Sequence, residues 1–292
     1  MAGLRPPVLG FYMIYITDEE IDNFIKDDVP YWDITTELLG IKSFASIIIS
    51  NRKKECILCG TEEATRIANK LNLQIKSFKP SGTILKPKET FFEASGDAKD
   101  IHKAWRICLN ILEYMSGIAT QTYEMVRKAK SVREDIEIAT TRKLIGFNKS
   151  LTIKSILIGG AIPHRLGLSE SILIFDQHKI FFKTHEDLLK AVKILKQRAK
   201  EHKVCVEVSS LEEALGFIDI VDMIQFDKLN PELLEKAVKH IKSLKPEIVI
   251  LAAGGINMSN VEQYAGTGVD VLVTSSLYQA PMMDFKAEIR PL

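Results

Sequence analysis

The stretch Val204–Ile256 reads VCVEVSSLEEALGFIDIVDMIQFDKLNPELLEKAVKHIKSLKPEIVILAAGGI. Three short apolar runs inside it, Val204–Val208, Val221–Phe226 and Glu247–Ala252, have the length and β-branched content of buried strands. Helical patterns lie between these runs. Because a helix between two strands of one sheet brings the second strand in parallel to the first, this stretch predicts a parallel α/β fold.

The same alternation of strand and helix extends on both sides of this stretch. Further strands are predicted at Ile136–Thr141, Ser171–Phe175 and Val269–Thr274. Capping patterns fall where each helix is expected to begin, and Gly266 is expected to end the last helix. The predicted helix starts are Thr184 with Asp187, Ser210 with Glu213, Asn230 with Pro231, and Ser259 with Glu262. The chain from about Asp135 onward is therefore predicted to repeat strand and helix.

Residues 13–98 follow a different pattern. One clear helix, Thr61–Leu71, interrupts a series of short strands, which favours a separate α+β layer. From Asp97 to about Lys130 a long helix with one apolar face is predicted to join the two halves of the chain. The strands of this first region are predicted near Ser43–Ser50, Glu55–Gly60, Leu73–Lys79 and Thr90–Ala94.

Composition sets outer limits on the function. The chain has 292 residues, of which 46% are hydrophobic and 26% charged, so it can bury a full core. Lys and Arg (39) nearly balance Asp and Glu (38), so no overall field favours nucleic acid or an anionic membrane. The longest apolar runs, such as Ile248–Ile256, are shorter than the roughly 20 residues that span a bilayer, and no secretory signal is recognised. We expect a cytoplasmic protein.

The four cysteines, Cys56, Cys59, Cys108 and Cys205, are too few for a disulfide scaffold in a chain of this length. Cys56 and Cys59 form a C-x-x-C inside an apparent strand, where residues three apart point to opposite faces. Without a second pair the motif is also a weak zinc signal. We therefore predict buried strand cysteines rather than a redox or metal site.

Polar residues follow the predicted strands at the ends where barrel active sites form. A single such residue is most simply solvated, but repetition at successive strands predicts a site. Glu207 and Asp227 close buried runs, and a carboxylate pair of this kind suits Mg²⁺ or ribose hydroxyls. Gly254 and Gly255 precede a helix predicted near Ser259, which suits a phosphate, although two glycines after a strand are commonly just a tight turn. The residues at these strand ends are Arg142, Lys143, Asp176, His178, Glu207, Asp227, Gly254, Gly255, Ser275 and Ser276.

His164 and Arg165 follow a glycine turn and precede a predicted strand. Both side chains can donate hydrogen bonds to an oxyanion. His185, His202 and His240 lie in Lys-rich helical surroundings, which are typical of surface residues. His164 is therefore the histidine that we assign to the candidate site.

In Arg106–Thr122, Thr140–Lys143 and Gly159–His178 the chain resembles three signature segments of the quinolinate phosphoribosyltransferase family. The strands that hold Glu207 and Asp227 continue the match in family order, as do AAGGIN and TGVDVLVTSSL, and DDVPYWDITT is similar to the family's N-terminal segment. Within the family the phrases DVPYWDITTELLGI, ATTRK and PHRLGLSESILIFDQH look closest to ModD-type proteins, which are associated with molybdenum transport. The signature segments are RICLNILEYMSGIATQT (Arg106–Thr122), TTRK (Thr140–Lys143) and GGAIPHRLGLSESILIFDQH (Gly159–His178).

This resemblance implies an α/β protein of type II phosphoribosyltransferase fold. An N-terminal α+β sandwich domain would stand beside an incomplete parallel α/β barrel of about seven strands. The implied ranges are 13–125 for the sandwich with its linking helix and 126–276 for the barrel. The tail 277–292 would pack back on the sandwich, and residues 1–12 would be an extension foreign to the native protein.

The resemblance also implies residue roles and partners. Family members are similar in working as dimers, so we expect a homodimer in which Arg106 reaches the partner's active site. Mg²⁺ is the implied cofactor, held by Glu207 and Asp227 through ribose or water, with phosphoribosyl pyrophosphate as co-substrate. The implied catalytic residues are Lys143, Glu207 and Asp227; acceptor and pyrophosphate would be bound by Arg106, Arg142, His164, Arg165 and Phe175; the 5′-phosphate would be bound by Gly254, Gly255, Ser275 and Ser276.

Three departures from the family pattern fall near the implied acceptor. Phe175 stands where quinolinate enzymes typically carry a Lys that binds a substrate carboxylate, so one anion contact is lost. Pro163 replaces the usual Asn and Thr140 the usual Asp. We therefore predict an altered acceptor pocket and a retained phosphoribosyl end.

Our leading hypothesis is a ModD-like pentosyltransferase that moves phosphoribosyl from phosphoribosyl pyrophosphate to a small, anionic, pyridine-like acceptor and releases pyrophosphate. One alternative is a carboxylating nicotinate-nucleotide pyrophosphorylase of NAD biosynthesis, which would turn quinolinate into nicotinate mononucleotide and CO₂. The alternative of another class is a non-catalytic sensor of an oxyanion or nucleotide in molybdate uptake. Two carboxylates near the ligand argue against such a sensor.

Overall fold

The chain forms two compact units in a computed structural model that describes residues 14–144 and 148–292. The described residues of the first unit are 14–123, 148–160 and 278–292, and those of the second are 124–144 and 161–277. The extension expected at residues 1–12 lies outside the described residues. Among the helices that the structure describes, none combines the length and hydropathy that a membrane crossing requires.

The first unit is built on a four-stranded antiparallel sheet, flanked by helices and a small two-stranded sheet. One long helix begins in this unit and ends in the second. The helices are α1 (Asp18–Asp28), α2 (Ile34–Leu38), α3 (Thr61–Lys70), α4 (Ala98–Val132) and α5 (Lys149–Ile158), and the strands are β1 (Phe44–Asn51), β2 (Cys56–Ile57), β3 (Gln74–Phe78), β4 (Ile84–Leu85), β5 (Thr90–Asp97) and the C-terminal β13 (Phe285–Pro291).

The four-stranded sheet has the order β13-β1-β5-β3. Strand β1 alternates buried and half-exposed residues, with Ala45, Ile47 and Ile49 in the core. This period of two is that of a strand with one buried face. Helix α4 contributes Ile101 and Leu112 to the same core, from the apolar face that the sequence predicted.

The C-terminal strand β13 was not predicted from the sequence. It pairs antiparallel with β1, so that Ile289 stands opposite Ile47. Edge position explains the weak sequence signal, because most β13 residues are half-buried or exposed and show little alternation. The backbone N–H of Met283 also donates to the Glu113 carbonyl at 2.9 Å, which connects the tail to α4.

Helix α5 belongs to the first unit, although the implied ranges placed it with the barrel. Leu151 and Ile158 pack in the first core, and the hydroxyls of Thr152 and Tyr114 are hydrogen-bonded at 2.7 Å. In a parallel barrel a helix lies between successive strands along the chain. Because α5 lies between β6 and β7, sequence order alone assigns it to the barrel. The packing partners of its apolar residues decide otherwise.

The second unit is a seven-stranded, all-parallel sheet in the order β7-β6-β12-β11-β10-β9-β8. Strands β7 and β8 form its two edges, which confirms the predicted incomplete barrel. The strands are β6 (Glu137–Thr140), β7 (Ile162–Pro163), β8 (Ile172–Ile174), β9 (Val204–Val208), β10 (Met223–Asp227), β11 (Val249–Ala253) and β12 (Val271–Thr274), and the helices are α6 (Asp176–Lys179), α7 (His185–Arg198), α8 (Leu211–Phe217), α9 (Pro231–Leu244) and α10 (Val261–Ala265).

Three of the four predicted helix starts are confirmed. The side chains of Thr184, Ser210 and Asn230 each accept a hydrogen bond from the backbone three residues on. The fourth start, at Ser259, is wrong, because α10 begins at Val261 after Asn260. Asn257 accepts from both the backbone N–H and the hydroxyl of Ser259, so a local turn uses the group expected to cap the helix.

Side chains from alternate positions of the parallel strands fill the barrel interior. Phe175, Met223 and Val249 pack against this interior cluster without being fully buried. The buried members are Ala139, Leu173, Cys205, Leu251, Ala253, Val271 and Val273. The interior is therefore closed by apolar packing below the edge where the strands end.

We expect Gly117→Ala to destabilise the protein by about 1–3 kcal/mol, which is the usual cost of overpacking. A Cβ atom at Gly117 in α4 would lie 2.3 Å from the carbonyl oxygen of Pro281. The better helix propensity of alanine, about 1 kcal/mol, is too small to offset this clash. Thermal unfolding measures the effect. The matched control is Gly167→Ala, where no atom lies within 4 Å of the added carbon. Equal melting temperatures of the two variants would contradict the close packing of Pro281 on α4.

Candidate active site

The parallel ladder brings the predicted site residues of the second unit to one edge of the sheet. Asp227 pairs with Ala253, Ala253 with Val273, and Val273 with Ala139, so the strand ends lie side by side. The carboxyl ends of parallel strands are where side chains and loops form binding sites. Around this edge lie Arg142 and Lys143 after β6, His164 and Arg165 after β7, Phe175 after β8, Glu207 in β9, Asp227 in β10, Gly254 and Gly255 after β11, and Ser275 and Ser276 after β12.

Glu207 is the most constrained carboxylate of the site. Its Oε2 accepts a hydrogen bond of 2.6 Å from Nε2 of Gln225, and its backbone carbonyl accepts one from Lys179. Burial raises the pKa of Glu207, the Gln225 hydrogen bond opposes that rise, and the negative charges of Asp227 and Asp176 add to it. Glu207 and Asp227 are therefore close enough for their charges to interact.

Arg165 is a buried cation at this edge, with only 8% of its surface exposed. Burial lowers its pKa, and the positive charge of Arg142 lowers it further. In the described part of the chain it has neither a hydrogen bond nor an ion pair, and its guanidinium carbon lies 5.5 Å from the ring centre of Phe175. A buried cation in this state calls for an anionic ligand.

His164 lies beside Arg165 at the end of β7. Its backbone N–H donates to the Thr140 carbonyl at 3.0 Å, which connects β7 to β6. Burial lowers the pKa of His164, and the charge of Arg165 lowers it further. At neutral pH the imidazole is therefore uncharged and can both donate and accept a hydrogen bond.

Phe175 and His178 form an aromatic pair at the end of β8. Their ring centres are 5.9 Å apart with an angle of 18° between the planes. The backbone N–H of Phe175 donates to Nδ1 of His178 at 3.0 Å, which holds the two rings in register. The position where the family typically carries a lysine thus presents an aromatic surface.

Gly254 and Gly255 form an open turn after β11, with φ angles of 89° and 79°. A Cβ at Gly254 would lie 2.6 Å from Oδ1 of Asp227, so only glycine fits there. At Gly255 no atom lies within 4 Å of such a carbon, and this residue is exposed. The side chains of Asn257 and Asn260 both donate to the Gly255 carbonyl at 3.0 Å, which orders the turn.

Hydroxyl groups of Thr274 and Ser276 lie at the carboxyl end of β12, at the same edge of the sheet. Oγ1 of Thr274 donates to the Ile256 carbonyl at 2.7 Å and lies 2.9 Å from Oγ of Ser276. The backbone N–H of Ser276 donates to the same threonine oxygen at 3.0 Å. The glycine turn and the serine segment are therefore connected through Thr274.

Five residues of the site were not singled out from the sequence: Gln225, Lys179, Lys228, Asn257 and Asn260. Two of them touch the carboxylates, since Gln225 contacts Glu207, and Lys228 pairs with Asp227 at 3.6 Å. Lys228 has a φ of 56°, which is unusual for a residue other than glycine. Strand alternation places Gln225 on the same face as Asp227, and this was the one available sequence signal.

Arg106 belongs to the first unit, whereas every other predicted site residue belongs to the second. Arg106 is exposed, and its guanidinium carbon lies 4.9 Å from the centre of the Trp105 ring. It lines a groove of about 570 Å³ together with Trp32, Asp33 and His102. Within its own unit it is therefore an accessible cation on an aromatic surface.

The cysteines take no part in this site. All four are free and buried, as predicted for Cys56 and Cys59. Burial raises the pKa of the Cys56, Cys59 and Cys108 thiols to about 12, so none of these three is a thiolate at neutral pH.

Two family models together match most of the chain. The model of the quinolinate phosphoribosyl transferase C-terminal domain matches residues 118–288, and that of the N-terminal domain matches residues 33–116. The chain belongs to the quinolinate phosphoribosyl transferase family. This membership confirms the predicted family and the phosphoribosyltransferase class of enzyme.

Curated relatives carry two different names. A protein of Pasteurella multocida named as a pyrophosphorylase ModD is 32% identical over 95% of this chain and 99% of its own length. A nicotinate-nucleotide pyrophosphorylase [carboxylating] of Methanothermobacter thermautotrophicus is 33% identical over 93% of this chain and 98% of its own. The predicted likeness to ModD-type proteins is confirmed.

A solved structure shows the same fold. The nicotinate-nucleotide pyrophosphorylase of Francisella tularensis superposes with a TM-score of 0.84 at 24% identity. The match covers 94% of this chain and 98% of that one. Together with the sheet order, this confirms the predicted fold class.

We expect the His164 imidazole to titrate below its ordinary pKa of 6.5, because burial and then Arg165 disfavour its charged form. Unfolding restores the ordinary pKa, so the unfolded state binds the proton first and stability falls as pH drops through 6.5. The His164 ring resonance is identified as the one that is absent from the NMR spectrum of His164→Gln. Its pH titration in the wild-type protein gives the pKa of His164. The same variant should lose less stability between pH 7 and about 5.5 than the wild type does; a midpoint above 6.5 would contradict the burial of this ring.

Proposed function

We propose that the protein transfers phosphoribosyl from phosphoribosyl pyrophosphate to a small, anionic, pyridine-like acceptor and releases pyrophosphate. The observation that carries this proposal is the presence, at one sheet edge, of a buried cation without an ion-pair partner in the described residues, Arg165, and of two carboxylates, Glu207 and Asp227. Phosphoribosyl transfer needs both, since cations stabilise the leaving pyrophosphate and carboxylates bind the ribose hydroxyls. A cytoplasmic location, and a role linked to molybdenum transport, stay predictions.

We assign the binding of the phosphoribosyl donor to residues at the ends of β9–β12. We infer that Glu207 and Asp227 hold the ribose hydroxyls, and that the turn at Gly254 and Gly255 binds the 5′-phosphate through backbone N–H groups. Gly255 supports this role because its surroundings are open and its carbonyl is already bonded to asparagines, which orients the turn. Ser275 and Ser276 would add hydroxyl donors to the same phosphate.

The two carboxylates also fit a magnesium ion. Mg²⁺ prefers oxygen ligands and is usually held by one or two carboxylates, with substrate oxygens and water completing the shell. Glu207 and Asp227 would supply those carboxylates, and the ion would offset the charge of the pyrophosphate. The burial that raises the Glu207 pKa supports this fit, because a nearby cation would favour the ionised form of the carboxylate.

The acceptor end is assigned to the residues after β6–β8. Arg142, Lys143, His164 and Arg165 would bind the anionic groups of the acceptor and the pyrophosphate. As the bond to pyrophosphate breaks, the ribose carbon gains positive charge, which Glu207 and Asp227 stabilise. The acceptor nitrogen then attacks from the opposite face, so the residues need only hold the two substrates in line.

A carboxylating nicotinate-nucleotide pyrophosphorylase is the second candidate. The identity of 33% to a relative of that name favours it. Phe175 counts against it, since an aromatic ring stands where those enzymes typically hold a lysine for a substrate carboxylate. Conversion of quinolinate to nicotinate mononucleotide with release of CO₂ would decide for this candidate.

We also propose a homodimer in which Arg106 completes the partner's site. Its support lies in exposed apolar surface on both units. In the first unit Tyr31 and Leu38 are 85% and 84% exposed near the Arg106 groove, and in the second Phe181 is 82% exposed next to α6. Exposed apolar side chains on this scale are typical of surfaces that another chain covers.

We expect pyrophosphate release when the protein is incubated with phosphoribosyl pyrophosphate, Mg²⁺ and a panel of pyridine carboxylates. Glu207→Gln should lower kcat about 10²–10³-fold, because the developing charge on the ribose loses a carboxylate. The matched control is Glu201→Gln, at an exposed position just before β9, which should stay fully active. Absence of both pyrophosphate release and donor binding would contradict the proposed enzyme and favour a sensor.

Complementation between variants tests the shared site. Arg106→Ala and Glu207→Gln should each be inactive alone, but dimers that contain one chain of each have one intact site. Co-refolding equal amounts should therefore restore about a quarter of wild-type activity, since half of the dimers are mixed. Arg142→Ala with Glu207→Gln is the control and should restore none, because both residues belong to the same unit. Failure of the first pair would contradict the role of Arg106 across the interface.

A further inference from the structure

The interior of the barrel holds a buried amide with one unused group. Gln225 is 3% exposed, and its Nε2 donates to Oε2 of Glu207 at 2.6 Å. Because Glu207 accepts that bond, the amide oxygen of Gln225 points elsewhere. No donor in the described part of the chain contacts this oxygen. Buried polar atoms are nearly always hydrogen-bonded, so a bound molecule that carries a donor would complete the set.

Arg165 supplies a single buried positive charge to the same interior. No carboxylate pairs with it among residues 14–144 and 148–292. Arg142, the cation whose charge acts on Arg165, is exposed. The buried part of the pocket can therefore neutralise one anionic group fully.

Phe175 adds a flat apolar surface. Its ring packs against the interior cluster, stacks with His178 and lies 5.5 Å from the Arg165 guanidinium carbon. Aromatic rings bind well in offset-stacked or edge-on contact with other rings. A second anionic group placed against this ring would lose its hydration without gaining a charged partner.

These three features surround one place in the barrel. The Arg165 guanidinium lies over the Phe175 ring, which packs against the cluster that contains the buried Cys205. Cys205 pairs in register with Met223, two residues before Gln225. Gln225 pairs in register with Glu207 on the neighbouring strand. Amide, guanidinium and aromatic ring therefore lie around the same part of the barrel interior.

We infer that the acceptor is a planar nitrogen heterocycle with one carboxylate, a ring nitrogen that attacks the ribose, and a separate ring N–H or amino group that donates to Gln225. This inference rests on the proposed function and narrows its acceptor. It separates the acceptor from quinolinate, which carries two carboxylates and a ring nitrogen that only accepts hydrogen bonds. Gln225 is thereby a specificity-determining residue.

Calorimetric titration of the full chain with three probes tests the inference. The probes are quinolinate, nicotinate, and hydroxynicotinate in its pyridone form, which keeps the single carboxylate and adds a ring N–H. We expect hydroxynicotinate to bind about tenfold more tightly than nicotinate, because it satisfies a buried acceptor, and quinolinate to bind most weakly. Gln225→Met should abolish the preference for hydroxynicotinate, and Phe175→Lys should raise the affinity for quinolinate.

Gln197→Met makes the same change on the exposed side of α7 and should keep the wild-type ranking. The inference is overturned if wild-type protein binds quinolinate most tightly, or if Gln225→Met keeps the preference for the pyridone. Should that variant fail to fold, the wild-type ranking alone decides. Titration with phosphoribosyl pyrophosphate and Mg²⁺ distinguishes failure of this inference from failure of the proposed function. Donor binding without the predicted ranking of the probes overturns only this inference. Absence of donor binding overturns the proposed function.

Discussion

The parallel hydrogen-bond ladder of the second unit is the constraint on which the rest of the site depends. Parallel strands all end at the same edge, so residues that follow them are neighbours in space whatever their separation along the chain. Thr140 in β6 pairs with Thr274 in β12, and Asp227 pairs with Ala253. Arg142, Glu207 and Gly254 lie at one edge of the sheet for this reason, in or directly after strands whose other residues fill the interior.

Charge is distributed unevenly around that edge. The carboxylates have partners within the protein, since Glu207 accepts from Gln225, and Asp227 lies 3.6 Å from Lys228. The buried cation does not, because Arg165 has neither an ion pair nor a hydrogen bond in the described part of the chain. A protein with a net charge of only +1 thus holds one buried positive charge without a partner in the described residues, which suits an anionic substrate.

The altered acceptor position is integrated with its surroundings. The Phe175 ring stacks on His178 and packs on the interior cluster, while Lys179, in the same helix α6, bonds to the Glu207 carbonyl and to Glu213. The aromatic residue thus packs on buried apolar atoms, and lysine there would place a charge against them. The difference from the family pattern at Phe175 therefore leaves the carboxylates and the glycine turn in place.

The sequence by itself determined the parallel α/β class, the cap residues of α7, α8 and α9, and the chemical groups at the strand ends. These features depend on local spacing, which period and capping chemistry reveal. Only the tertiary structure decided that β13 pairs with β1, that α5 packs in the first unit, that Asn257 rather than Ser259 shapes the turn before α10, and that Gln225 holds Glu207. The physical reason is that strand register and side-chain contacts join residues distant in the chain, so their hydrogen-bond partners cannot be read from neighbouring positions.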